Sequence, residues 1–219
     1  MKTVLLASAS PARKATLEAA HIRPTVAVAD VDEDSLLAAA KADDPQIGAA
    51  DQVQMLAVAK ARAIAAQFLQ APSGQAGGPT VVVGCDSMLE MGGKVVGKPH
   101  TAEVARERLR EISGQAGDLH TGHCVIDIES GRLAVGTSTA TVHISTLSEA
   151  EIEAYIATGE PLVVAGSFTI DGYGGPFVER IEGDHHGVVG ISLPLLRSLL
   201  GELGHSIVEF WDTGLTPTA

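Results

Sequence analysis

Asp86 closes the apolar run Thr80-Val81-Val82-Val83-Gly84-Cys85-Asp86, which reads as a buried strand ending on a carboxylate. Strand ends are where open α/β folds place their chemistry, and such an acid is hard to explain as surface decoration. A second acid, Glu33, stands in the run Asp30, Asp32, Glu33 and Asp34, where the plainer reading is a cap for the next helix. Cations gather in three other places. Arg13 and Lys14 follow Ser8, Ser10 and Pro11; Lys60 falls within a long helical segment; Lys98 follows Gly97. Carboxylates set opposite a cluster of cations suit a phosphate ester held with a divalent ion.

The elements that must position these groups can be read in order. Val4-Leu5-Leu6 is too short for a helix and suits a buried strand. After a small-residue loop, Ser10 is a good N-cap and Pro11 a good first helical residue. The first turn of that helix then breaks a rule. Its free N–H groups favour acids, yet it offers Arg13 and Lys14. An anion docked at the turn would remove the conflict; a solvated pair on an ordinary helix explains it as well. Residues 24–29 read as a second strand, and 35–50 as either helix or mobile loop. A long helix is expected over 51–70, with the stripe Val53, Leu56, Ala57, Ile64 and Phe68. Lys60 shares that stripe, so its tail must snorkel or its head must meet an anion, and the anion is the reading favoured here.

Residues 71–79 (APSGQAGGP) form a linker-like loop, too short to separate domains. A hairpin is expected over 88–96 around Gly92-Gly93, then a helix over 101–112. Two long antiparallel strands follow at 120–129 and 133–145. Ser148 and Glu151 make a capping box for a helix ending near Gly159. Residues 163–175 read as a strand opening into a glycine-rich loop, 177–181 as a strand, 192–203 as the last helix and 207–211 as a last strand.

A chain of 219 residues with 45% hydrophobic and 19% charged residues is globular, one large domain over 1–219 or two small lobes. Its net charge of −12 argues against nucleic acid and anionic membranes as partners, so a polyanionic ligand needs a local basic pocket. The 2 cysteines, Cys85 and Cys124, make no CxxC pattern. With no signal peptide and no spanning apolar run, a cytoplasmic location is expected.

Other motifs fail on context. Gly92 to Pro99 (GGKVVGKP) spells most of a phosphate-binding loop but ends on Pro99 instead of a hydroxyl, and it lies in a hairpin. Lys98 remains available to phosphate as a single point charge. His120 and His123 would point to opposite faces of a strand, which favours a structural role. His185-His186 reads as a solvated pair in a polar loop, and no serine sits in a nucleophile elbow.

Taken together, Leu6-Ala7-Ser8-Ala9-Ser10-Pro11-Ala12-Arg13, Val31-Asp32-Glu33, Leu56-Ala57 with Lys60-Ala61, Gly84-Cys85-Asp86-Ser87, Gly97-Lys98-Pro99, Ser113-Gly114, Thr121-Gly122 and Ala165-Gly166-Ser167-Phe168 before Asp171-Gly172 resemble the Maf family of nucleoside triphosphate pyrophosphatases. The resemblance spans nearly the whole chain. It implies a two-lobed α/β mixed-sheet fold of the inosine-triphosphatase-like type with a central cleft, a divalent metal cation (Mg or Mn) and a homodimer. It implies cleavage of a nucleoside triphosphate to monophosphate and pyrophosphate, with Asp86 as proton acceptor. Ser8, Arg13, Lys60 and Lys98 would bind phosphate, joined by Ser10 at the start of a helix whose free N–H groups suit the same anion, and Glu33 and Asp86 would hold the metal. Three positions depart from the uridine- and thymidine-selective branch: Ala12 replaces a second arginine, Ser87 a threonine and Asp171 a glutamine. An ionised carboxylate only accepts hydrogen bonds, which suits the adjacent donors of guanine, so Asp171 favours guanine-like or modified bases. The alternative, from another class, is a nucleotide-binding regulator linked to cell division, with incidental hydrolysis.

Overall fold

The computed structural model of the protein describes residues 1–69 and 78–214. The linker-like stretch 71–79 therefore lies outside the described residues except at its last two positions. In chain order the elements are β1 (Val4–Leu6), α1 (Pro11–Ala19), β2 (Thr25–Val26), α2 (Glu33–Asp43), α3 (Ala49–Leu69), β3 (Val81–Met91) and β4 (Lys94–Val96). Then come α4 (Ala102–Ile112), β5 (Ala116–Asp127), β6 (Leu133–Ile144), α5 (Glu149–Ala157), β7 (Val178–Glu182), α6 (His185–Val189) and α7 (Leu193–Glu202).

The fold is mixed α/β. One seven-stranded sheet runs β2-β1-β3-β5-β6-β7, with β4 paired to β3. β1 is parallel to β2 and β3; the other pairings are antiparallel. β3 is the long central strand. On one edge it pairs with β5 from Val81 to Glu90. Its other edge is shared: β1 takes Val81 to Val83 and β4 takes Leu89 to Met91. Between them, among the described residues, the edge from Gly84 to Met88 has no strand partner.

Alternation along the strands sorts the core into layers. Val4, Leu6, Val83 and Cys85 pack with Leu17 of α1 and with Leu196, Leu199 and Leu200 of α7. Leu5, Ala7, Val82 and Cys124 pack on the other face against Ala57, Ala61 and Ile64 of α3. Beyond the open edge, Leu89, Leu119, Val142 and Ile144 form a separate cluster with α4 and α5. β3 contributes to all three clusters: Val83 and Cys85 to the first, Val82 to the second and Leu89 to the third.

α3 touches the sheet closely for a stated reason. A Cβ on Gly84 would stand 2.3 Å from the Ala57 carbonyl oxygen, and one on Gly122 would stand 2.3 Å from that of Val53. Glycine at both sites lets helix backbone rest directly on strand backbone.

Several expected elements differ. The segment 35–50 is helical up to Asp43 as part of α2, capped by Asp32, whose Oδ1 accepts from the Ser35 N–H at 3.0 Å. The strand expected over 163–175 is absent. Gly166 and Ser167 take left-handed φ of 72° and 62°, which no strand tolerates, so the chain turns tightly instead. The last strand expected over 207–211 is a 3₁₀ turn over Ile207–Phe210, held by the Ser206 and Glu209 capping box; Trp211 keeps one bridge to Ile22. β5 begins at Ala116, earlier than expected, and the stretch around Asp86 continues into the hairpin as one strand. The Gly92-Gly93 turn, with φ of 55° and 74°, is a hairpin turn and no phosphate loop.

Candidate active site

Asp86 sits where β3 pairs with β5 on one edge and, among the described residues, with no strand on the other, and it is only 8% exposed. Its side chain points to the α3 side. Lys60 of α3 donates to Asp86 Oδ1 at 2.6 Å, and the same ammonium lies 2.8 Å from Glu33 Oε1 at the start of α2. The apolar stripe of α3 thus carries Lys60 to two carboxylates. The acidic run divides its labour: Asp32 caps α2, and Glu33 turns to the lysine. No described residue donates to Asp86 Oδ2. Burial raises the Asp86 pKa above the ordinary carboxylate value, while the Lys60 and Arg13 charges pull it back down.

Ser87, the next residue, points to the opposite face. Arg13 reaches it from α1. The guanidinium donates from Nη2 to Ser87 Oγ at 3.0 Å, from Nη1 to Ser8 Oγ at 2.9 Å and to the Cys85 carbonyl at 3.0 Å, and from Nε to the Gly190 carbonyl at 2.8 Å. Arg13 therefore closes the gap between β1 and β4 by bonding the bare edge of β3. Gly190, at φ 126°, is needed here: a Cβ would meet Arg13 Nε at 3.1 Å.

Hydroxyl protons are fixed along this chain of contacts. The Thr121 hydroxyl donates to the Gly187 carbonyl at 2.8 Å, so Ser87, 2.8 Å from Thr121 Oγ1, must donate to it while accepting from Arg13. Ser8 Oγ accepts from both Arg13 and the Ser10 N–H at 3.2 Å, which leaves its own proton free. Ser10 caps α1 by accepting from the Arg13 N–H at 3.4 Å.

The expected site residues are thus partly assembled. Ser8, Ser10, Arg13, Glu33, Lys60, Asp86 and Ser87 surround the open edge of β3. Ala12, on the first turn of α1, is half-exposed. Lys14 turns away to a surface ion pair with Glu18 at 2.6 Å, so only one of the two first-turn cations faces the site. Lys98 is exposed on the loop between β4 and α4 and Asp171 is exposed on the loop before β7; neither makes a hydrogen bond or ion pair with Asp86, Lys60 or Glu33. The Lys98 loop is held at its ends by Arg108 bonding the Gly97 carbonyl and by the His100 N–H donating to the Leu162 carbonyl at 3.2 Å.

Sequence reasoning missed Thr121 as a link and the carbonyls of Gly187 and Gly190 as acceptors; only the Thr121-Gly122 pair carried a signal. His123 is structural, as its strand position predicts. Fully buried, its Nδ1 donates to the Thr121 carbonyl at 3.0 Å and its Nε2 accepts from the Ser192 N–H at 2.8 Å. Burial pushes its pKa down to about 4, so it stays neutral. Cys85 is buried, and its thiol is pushed up to about 11.

Glu33 and Asp86 supply hard oxygen donors that already flank one positive charge, a donor set that fits Mg²⁺ or Mn²⁺ completed by phosphate oxygens and water. Asp184, His185 and His186 also place three possible ligand atoms together. There the Asp184 carboxylate caps α6, accepting from the His186 and Gly187 N–H groups. The pair expected in a loop thus opens a short helix.

The model of the Maf-like protein family matches residues 3–203. The chain belongs to the Maf family. This Maf protein is 49% identical over 211 residues to a nucleoside triphosphate pyrophosphatase of Salinispora tropica, covering 96% of this chain and 88% of that one. It is 49% identical over 212 residues to one of Nocardia farcinica, covering 95% and 96%. A third, of Rhodococcus opacus, is 46% identical over 216 residues, covering 97% and 98%. Among the described residues, no helix is long and apolar enough to cross a membrane.

Proposed function

We propose that this Maf protein hydrolyses a nucleoside triphosphate to the monophosphate and pyrophosphate, working as one two-lobed domain. The observation that carries the reading is Asp86: a buried acid at the open edge of β3, with Oδ1 tied to Lys60 and Oδ2 without a donor among the described residues. That oxygen is placed to accept a proton from water. As the water oxygen bonds the α-phosphorus, the bond to the bridging oxygen breaks and pyrophosphate leaves with the electron pair.

The other residues bind and orient. Lys60 has three donors and uses two on Asp86 and Glu33, which leaves one for a phosphate oxygen. The free proton of Ser8 and the first N–H groups of α1, behind the Ser10 cap, suit a second phosphate oxygen. Arg13 has four bonds committed to the scaffold, so it acts mainly by holding Ser8 and β3 in place. Lys98 is an exposed arm for the distal phosphates. Glu33 and Asp86 would hold the divalent ion, which when bound neutralises charge on phosphate oxygens.

Base choice is assigned to Asp171, with Ala12 and Ser87 as neighbours to the site. The exposed Asp171 carboxylate only accepts, which supports a guanine-like or modified base over uracil or thymine. The Ser87 proton is engaged with Thr121, so Ser87 offers a base no donor.

A panel of ordinary and modified nucleoside triphosphates, with and without Mg²⁺ or Mn²⁺, tests the reading by pyrophosphate release. Stoichiometric monophosphate and pyrophosphate are expected only with the ion present. Release of orthophosphate instead, or no turnover of any nucleotide, overturns it.

A further inference from the structure

Glu160 follows the Gly159 turn that ends α5, and it touches none of the side chains around Asp86. Its carboxylate nevertheless collects four hydrogen bonds. Oε1 accepts from the Tyr155 hydroxyl, the Thr169 hydroxyl and the Gly174 N–H, each at 2.9 Å. Oε2 accepts from the Tyr173 N–H at 2.9 Å. Three of the four donors belong to the loop of residues 169–174. Charge-assisted bonds of this kind are the strong ones, and two of them seize backbone directly.

The loop wraps this carboxylate as tightly as a chain can. A Cβ on Gly172 would lie 2.2 Å from Glu160 Oε2, and one on Gly174 would lie 2.5 Å from the Tyr155 hydroxyl oxygen. So wrapped, the loop turns two side chains outward. Asp171 is exposed and Tyr173 is 69% exposed, and neither side chain bonds a described residue. One is a pure acceptor and the other a flat aromatic face, the two kinds of group a nucleobase engages by its edge and by its plane.

The unit is docked on the strand that carries the acid. At Gly166 a Cβ would lie 2.6 Å from Leu89 Cδ2, three residues past Asp86 on β3, and Phe168 packs in the same cluster. The Leu162 carbonyl beside it accepts from His100, two residues after Lys98.

We propose that Glu160 is a positioning residue for base recognition, its carboxylate fixing the 169–174 loop so that Asp171 and Tyr173 meet the nucleobase in one preset geometry. The proposal rests on the pyrophosphatase reading above and adds a residue that reading does not use.

The test is Glu160→Gln. An amide turns one N–H donor toward the Tyr173 N–H or the hydroxyl donors, so the loop loses its anchor while side-chain volume is kept. The variant is assayed for kcat and KM on the nucleotide panel, with inorganic tripolyphosphate as a competitive probe of the phosphate pocket alone. Expected are a rise in KM of roughly tenfold for the preferred nucleotide, a flattened ratio of kcat/KM between bases, and unchanged inhibition by tripolyphosphate. Gly172→Ala, which pushes the same loop off the carboxylate from its outer side, is expected to give the same pattern and covers the case in which Glu160→Gln does not fold. Unaltered base ratios in both variants overturn the proposal, as does a wild-type enzyme that treats all bases alike. A wild type without pyrophosphate release from any nucleotide instead sinks the parent reading, which keeps the two failures apart.

Discussion

Lys60 Nζ stands 2.6 Å from Asp86 Oδ1, in a helix stripe that is otherwise apolar. The pair explains why a lysine tolerates that stripe: its head meets a carboxylate, and its remaining donor is the one proposed for phosphate. It also means that the acid is made less basic by the very cation that orients it.

Asp86→Asn keeps the shape of the side chain and removes the proton acceptor. Pyrophosphate release is expected to fall by roughly 10²–10⁴-fold, the usual worth of a positioned base. Equilibrium binding of a triphosphate is expected to stay largely intact. Unchanged turnover would reject the assigned base.

The pH profile follows from the same pair. A general base works only when deprotonated, so activity is lost as pH falls through its pKa. Burial raises the Asp86 pKa, and the acid limb of kcat/KM should therefore lie above the ordinary aspartate range. Lys60 lowers that pKa, so Lys60→Met should move the limb to still higher pH while raising KM or lowering kcat. An acid limb that stays fixed in the variant would remove Lys60 from this role.

Arg13→Lys retains the charge and loses the fork. A lysine cannot serve the Gly190 and Cys85 carbonyls and the Ser8 and Ser87 hydroxyls at once. Stability is expected to drop by about 1–3 kcal/mol through unsatisfied acceptors, with activity falling too, as read by thermal unfolding and turnover. A variant of wild-type stability would show that the guanidinium does not hold the edge of β3.

Gly122→Ala tests how α3 is seated. A Cβ there would lie 2.3 Å from the Val53 carbonyl oxygen, so the helix must lift from the sheet. A loss of about 1–3 kcal/mol or more is expected in denaturant unfolding. Because Lys60 rides on the same helix, turnover should fall as well.

The sequence showed the site better than it showed the frame near it. Val4 to Leu6, the Ser10 cap and the strand into Asp86 were legible because apolar runs and cap residues act locally. Lys60 was legible because it broke a pattern. The turn at Gly166 and Ser167 was not, since Gly166 packs against Leu89 of a distant strand, and neither was the 169–174 loop, which Glu160 gathers. Periodicity carries no trace of a carboxylate that gathers backbone N–H groups. The commitment of Arg13 was hidden for the same reason: two of its acceptors are carbonyls, which every residue type has.

Because Asp86 and Ser87 are neighbours on a pleated strand, the backbone of β3 is a partition with a different task on each side. Toward α3 lies the acid and its ammonium; toward α6 lies a locked relay of hydroxyls. Deleting or inserting one residue just before Asp86 would flip that parity, sending the carboxylate in among the hydroxyls and bringing the serine out beside the lysine. The spacing of this strand is therefore under a constraint that neither side chain alone reveals.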